Sequence, residues 1–292
     1  MRSTAEYVQH PKSIAMKRIL LATALSLSAA FAHAQTKPNA QPSVRLIRNA
    51  TLVVAYAGQK ILVDPMLSVK GTLDSWGGVE RNPTVELKMP VAEIIQDVRM
   101  VLVTHTHADH FDEAASKALP KAIELVNQPA DQAFFQKQGF THAQTLADGR
   151  EWHGIQLHRL EAQHGSGDVL KMMGQVSGYV LQAKNQPTIY IVGDAIWTEE
   201  IKQNIARYKP DYIIVNSGGA RIKGFENTPI LMDEEQTLAL LAASGKATVI
   251  AVHMDALDHC RTSRTSLRTK ADAQHISRKK LLIPQDGETV GL

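Results

Sequence analysis

Four side chains that bind metals fall within six consecutive residues: His105, His107, Asp109 and His110, in the run Thr104-His105-Thr106-His107-Ala108-Asp109-His110. Imidazole nitrogen and carboxylate oxygen together suit zinc, manganese, iron or nickel. Two such ions held roughly 3.5–4 Å apart can activate a shared water near neutral pH. A carboxylate beside that water, Asp109 for instance, can take its proton. The run follows Val98-Arg99-Met100-Val101-Leu102-Val103, an apolar stretch of strand type. A strand ending here would project His105 and His107 to one side, because side chains alternate with period two. The chain would then turn and aim Asp109 and His110 at a second point nearby. The bland alternative is a histidine-rich solvated turn that picks up metal adventitiously.

His-x-His-x-Asp-His after a strand resembles the signature of the metallo-β-lactamase superfamily of metal-dependent hydrolases. The resemblance covers roughly residues 44–290. It implies a four-layer αβ/βα sandwich, with two mixed sheets face to face and helices outside. It also implies two divalent metal ions, zinc first, with manganese, iron or nickel as alternatives.

The other ligands of that family have matches in order. His164, in Glu161-Ala162-Gln163-His164-Gly165-Ser166-Gly167, is placed by the resemblance beside His105 and His107 on one metal. The glycines after it permit close backbone approach, although a plain loop histidine would look the same. Asp194 follows Ile189-Tyr190-Ile191-Val192-Gly193 and matches the carboxylate that bridges both metals. It could instead cap the helical stretch that follows. His253 follows the apolar run 247–252 and matches the last ligand of the second metal, with Asp109 and His110. Asp64, in Ile61-Leu62-Val63-Asp64-Pro65, resembles a family position that orients a ligand imidazole, whose second N–H usually goes to a carboxylate or carbonyl. A turn residue before proline is the alternative.

A bridging Asp194 argues against a true β-lactamase and toward the branch with sugar-phosphate lactonases and phosphodiesterase-like hydrolases. The substrate-binding candidates are His259, Arg261 and Trp197, with Trp76, Met172, Met173 and Arg221 as further loop candidates. Arginine suits an anionic group, and His259 could donate a proton or a hydrogen bond. No Gly-x-Ser-x-Gly elbow competes for the chemistry, and Cys260 shows no activating partner. The function implied is an exported dinuclear hydrolase that directs a metal-bridging hydroxide at an ester, lactone or phosphodiester of a small molecule. Alternatives are a relative with one metal occupied, an oxidase-like use of iron, and a periplasmic metal-containing binding protein without turnover.

The elements that must position these residues are legible in part. The chain has 292 residues, 44% of them apolar, enough for one large domain. Met16-Lys17-Arg18, the mostly apolar run 19–31 and Ala32-His33-Ala34 describe a secretory signal peptide, with Met16 as its start. Residues 1–34 are read as leader, 35–43 as a polar tether and 44–292 as the hydrolase domain; a retained anchor is the alternative. Residues 1–34 carry Arg2, Lys12, Lys17 and Arg18 against Glu6, a net +3 equal to the formal +3 of the whole chain. The exported part is therefore near neutral, which gives no support to nucleic-acid binding. Cys260 is the single cysteine, so no internal disulfide forms. After cleavage nothing remains to insert stably in a membrane. Location in the periplasm or medium follows from the leader.

Strands are expected at 50–56 and 61–63, as a hairpin, and at 98–103, 155–160, 178–182, 188–192, 212–215 and 247–252. Helices are expected at 113–119, 129–138, 198–208 and 233–243, and a long loop at 66–90. Periodicity by itself gives an α/β layered domain.

Overall fold

A computed structural model describes residues 41–292; the leader and signal peptide reading, and residues 35–40 of the tether, lie outside the described residues. The first half forms β1 (Ser43–Arg48), β2 (Thr51–Tyr56), β3 (Gln59–Val63), α1 (Val91–Ile95), β4 (Met100–Leu102), α2 (Glu113–Ala118), β5 (Glu124–Asn127), α3 (Gln132–Lys137) and β6 (Ala143–Thr145). The second half forms β7 (Gly149–Trp152), β8 (Ile155–Ala162), α4 (Gly167–Met173), β9 (Val176–Ala183), β10 (Ile189–Ile191), α5 (Glu199–Tyr208), β11 (Tyr212–Asn216), α6 (Glu234–Ala243), β12 (Thr248–Val252), α7 (Arg264–Ala273), β13 (Leu281–Leu282) and β14 (Thr289–Gly291). Two mixed seven-stranded sheets result, in the orders β14-β1-β2-β3-β4-β5-β6 and β13-β12-β11-β10-β9-β8-β7. Each has an antiparallel side and a parallel side, the latter running β3 to β6 and β10 to β13.

Strand alternation explains the layers. Met100 and Leu102 of β4, and Ile250 and Val252 of β12, enter the core between the sheets. Val101 points the other way, toward Ile94, Ala115 and Phe135 of α1, α2 and α3. Val249 and Ala251 likewise point out, toward Ile201, Leu238 and Leu267 of α5, α6 and α7. Both faces of these strands are buried, so they read as continuous apolar runs. This is the expected four-layer arrangement.

The turn between β2 and β3 is only Ala57-Gly58, both at positive φ (49° and 76°), so Gln59 and Lys60 belong to the strand. Ser43, read as tether, starts β1, and Pro42 accepts a hydrogen bond from the Leu292 N–H. Thr198 and Asp233 accept from the backbones of Ile201 and Gln236, so they cap α5 and α6. That leaves Asp194 with no capping role there. Among the described residues, no helix is long and apolar enough to cross a membrane.

Candidate metal centre

The strands β4, β10 and β12 all end at the same rim, and their C-terminal loops carry the candidate ligands. β4 stops at Leu102, so His105 and His107 do not lie on a strand. The expectation that alternation aligns them is corrected: an irregular loop does so. The His107 carbonyl accepts from the N–H groups of His110 and Phe111, each at 2.9 Å, which reverses the chain. His105 Nε2 and His107 Nδ1 are brought to 3.0 Å. His164 lies two residues beyond β8, and its Nδ1 donates to the Ile230 carbonyl at 2.6 Å. Gly193 adopts φ 75°, and a Cβ there would sit 2.6 Å from the Ser177 carbonyl oxygen. Only glycine makes that turn into Asp194 without strain. His253 follows β12 in the left-handed region, φ 64°.

Two groups of ligand atoms result, each within 4.8 Å: His105, His107 and His164; and Asp109, His110, Asp194 and His253. All are buried except His107, which is half-buried. Asp194 lies between the groups. Its Oδ2 is 3.2 Å from His110 Nε2, 3.5 Å from His164 Nε2 and 4.0 Å from His105 Nε2, and its Oδ1 is 3.7 Å from His253 Nε2. Asp109 Oδ2 lies 3.2 Å from His253 Nε2.

The outward nitrogens of several rings are already engaged. His110 Nδ1 donates to Asp64 Oδ2 at 2.9 Å. His105 Nδ1 lies 3.0 Å from Thr104 Oγ1, which itself donates to Asp64 Oδ2 at 2.7 Å. His253 Nδ1 faces Cys260 Sγ at 3.7 Å. When these rings are neutral their inward nitrogens present converging lone pairs, as His110 Nε2 and His253 Nε2 would at 3.3 Å. A converging set of imidazole nitrogens and carboxylate oxygens suits a divalent cation and leaves few other uses for so much buried polarity.

These side chains hold charge even without a cation. Burial disfavours the charged form of His110, but Asp194, Asp109 and Asp64 prevail and raise it to about 10. His253 is raised well above the ordinary imidazole value; burial opposes this, and Asp194 and Asp109 outweigh it. Burial lowers His164 to about 4 and carries His105 well below the ordinary value. Burial also works to raise Asp109 and Asp194, yet the charges on His110 and His253 hold both well below the carboxylate range. A pH dependence follows. His110 has a folded pKa above its unfolded 6.5, so its contribution is complete below 6.5 and is lost as pH rises toward about 10. In chelator-treated protein the Tm is expected to fall between pH 7 and pH 10. Metal-loaded protein, whose imidazoles hold cations in place of protons, should lack this fall. Differential scanning fluorimetry on both forms measures it.

The ligands form the floor of a cavity of about 590 Å³, reached by His107, Asp109, His164 and Asp194. Trp76, Met173, Ile222, Ile230, Lys223 and His259 form its walls. His259 is buried, its Nδ1 has no hydrogen-bond partner, and burial lowers its pKa, so it stands as a neutral imidazole beside the site. Arg261 and Trp197, expected at the substrate, do not line the cavity. Arg261 is exposed and reaches the Glu226 carbonyl; Trp197 packs with the α5–α6 side, and its backbone N–H donates to Gln236 Oε1. Arg221 pairs with Asp233, and Met172 is exposed. Sequence reasoning missed Asn216, whose amide donates to Asp194 Oδ1 at 2.6 Å. Its position at the end of β11, beside β10, was the available signal. It also missed Ser75, Ile222, Lys223 and Ile230, for which no local pattern exists.

Residues 59–254 match the β-lactamase superfamily domain, and the chain belongs to that family. It is a metal-dependent hydrolase with a histidine and aspartate cluster that could hold metal, the description shared by a group of its relatives. It is 35% identical to UPF0173 protein YddR of Bacillus subtilis (strain 168) over 253 residues, 85% of this chain and 98% of that one. Among solved structures, a possible metal-dependent hydrolase from Veillonella parvula superposes with TM-score 0.83 at 32% identity, covering 87% of this chain and 100% of the other. An isothiocyanate hydrolase from Delia radicum gut bacteria superposes with TM-score 0.81 at 37% identity, covering 86% and 99%.

Proposed function

We propose that this chain is an exported dinuclear hydrolase acting on a small, largely apolar electrophile. The observation that carries this reading is Asp194, buried between two ligand groups at the floor of the cavity. His105, His107 and His164 would hold one ion and Asp109, His110 and His253 the other, with Asp194 shared. Two divalent ions there would supply Lewis acidity and a water acidic enough to lose its proton near pH 7. Asp109 is the group placed to accept that proton and return it to the leaving atom. His259 offers a neutral ring nitrogen to the substrate, and Trp76, Met173 and Ile222 offer apolar contact.

Esters and lactones fit this cavity, and the 37% identical isothiocyanate hydrolase adds a third electrophile. An isothiocyanate presents one central carbon to water. The water oxygen bonds to that carbon, its protons pass to nitrogen, and C–N cleavage releases an amine and carbonyl sulfide. The walls hold one basic side chain, Lys223, and no arginine among the lining residues, which favours such neutral substrates over a phosphodiester. Export rests on the leader read at residues 1–34.

Elemental analysis of protein purified without chelator should give about two ions per chain, falling in His107→Ala. Turnover of benzyl isothiocyanate, phenyl acetate and a γ-lactone should then depend on the metal found. Folded protein without stoichiometric metal would end this reading in favour of a binding protein.

A further inference from the structure

The Asp258 carboxylate takes part in neither ligand group, yet it is crowded with donors. Ser75 Oγ at 2.5 Å, the N–H groups of Trp76 and Gly77 at 3.0 Å, that of Val79 at 3.1 Å and Asn82 Nδ2 at 2.9 Å all point at it. Asn82 Oδ1 in turn accepts from the Asp258 N–H at 2.8 Å. Successive backbone N–H groups in such a turn form an anion-binding concavity, here filled by the protein's own carboxylate. Gly77 packs so closely that a Cβ would lie 2.5 Å from the Asp258 carbonyl oxygen. The next residue, His259, stands edge-on to Trp76, with ring centroids 5.2 Å apart, and both line the metal cavity.

The rest of the 66–90 loop is held at its ends and by a Leu73–Asn82 backbone bridge with Arg81 reaching the Gly71 and Thr72 carbonyls; residues 75–79 lie beyond these ties. Buried Arg48 donates to the carbonyls of Met66, Ser68 and Val85, and the Thr84 N–H reaches the Ala256 carbonyl. Val79 at the tip is 80% exposed, so no core contact fixes this part. Local stability here has to come from the polar contacts.

We propose that Asp258 is a positioning residue that latches residues 75–79 and thereby sets Trp76 as the cavity wall that selects for bulky apolar substituents. This rests on the hydrolase reading above. The latch acts through Trp76 rather than on the reacting atoms. Its loss loosens the loop and weakens binding of large substrates more than of small ones.

The test uses metal-loaded Asp258→Ala, Asp258→Asn and Trp76→Ala, each checked for unchanged metal content. In Asp258→Ala, trypsin should cut after the exposed Lys70 and Arg81 about ten-fold faster, since cleavage reports local opening. The KM for benzyl isothiocyanate should rise about ten-fold, the scale of a lost aromatic contact, and the KM for methyl isothiocyanate should rise less. Asp258→Asn keeps an acceptor oxygen and should fall between. Trp76→Ala should reproduce the KM change without faster cleavage. Unchanged cleavage in Asp258→Ala overturns the proposal, and so does faster cleavage with the benzyl-to-methyl preference intact. If the unaltered holoenzyme turns over neither compound, the isothiocyanate reading fails on its own. The latch is then judged by cleavage and by acrylamide quenching of tryptophan fluorescence. Quenching should increase in Asp258→Ala and not in Asp258→Ala/Trp76→Phe; equal quenching in both overturns the latch.

Discussion

Asp194→Asn is expected to empty the site and to lower kcat/KM by on the order of 10³-fold, about 4 kcal/mol of transition-state stabilisation. The substitution is nearly isosteric. The new amide can still offer its carbonyl to Asn216, which now donates to Asp194 Oδ1 at 2.6 Å. What changes lies at Oδ2, which sits 3.2 Å from His110 Nε2, 3.5 Å from His164 Nε2 and 4.0 Å from His105 Nε2. An NH₂ group there cannot ligate a cation, and both ligand groups lose their shared negative charge. Metal content should drop from about two ions per chain to below one, because two cations held close together need that charge between them. The same variant carries a second signature. In chelated protein Asp194 heads the groups that raise His110 and His253. Its removal should flatten the fall in Tm between pH 7 and pH 10. An Asp194→Asn protein with two ions and ordinary turnover would remove Asp194 from the centre of the chemistry.

The fold and the centre were legible to different degrees for physical reasons. β4, β10 and β12 are buried on both faces, so each is an unbroken apolar run, and the polar residues just after these runs stand out. His105, Asp194 and His253 come just after such runs. The short edge elements β6 and β7 are half solvated and carry no continuous apolar run, so no strand is expected there from the sequence. α7 was also invisible: only Leu267 and Ala271 are buried in it, and a capping box of Ser263 and Ser266 starts it. The walls of the cavity escaped because nearness in sequence does not give direction. Trp197 is three residues from Asp194 and turns to the helix side; Arg261 is two from His259 and turns to solvent. The Asp258 latch joins residues 183 apart in the chain, beyond any local pattern.

Asp64→Asn tests whether one buried carboxylate sets the orientation of two imidazoles. Asp64 accepts from the Thr104 N–H and from Thr104 Oγ1, each at 2.7 Å, and from His110 Nδ1 at 2.9 Å. Through Thr104 Oγ1 it also fixes His105, whose Nδ1 lies 3.0 Å from that oxygen. Each ring thus presents Nε2 with its lone pair to the site, one in each ligand group. Asp64 sits at φ 44°, a left-handed conformation that asparagine adopts at less cost than most residues, so the fold survives the exchange. The amide, however, places an NH₂ group against donors. His110 or Thr104 must then rotate or switch tautomer. Loss of such an outer partner typically weakens metal binding by about 10–100-fold, and that is the range expected here. Competition with a chromophoric chelator measures it. Thr104→Val, which removes the hydroxyl but keeps the shape, should give a smaller loss confined to the His105 group. Asparagine also suits a turn before proline. If Asp64 served only the turn before Pro65, Asp64→Asn would bind metal as tightly as the unaltered protein, and the orienting role would be lost.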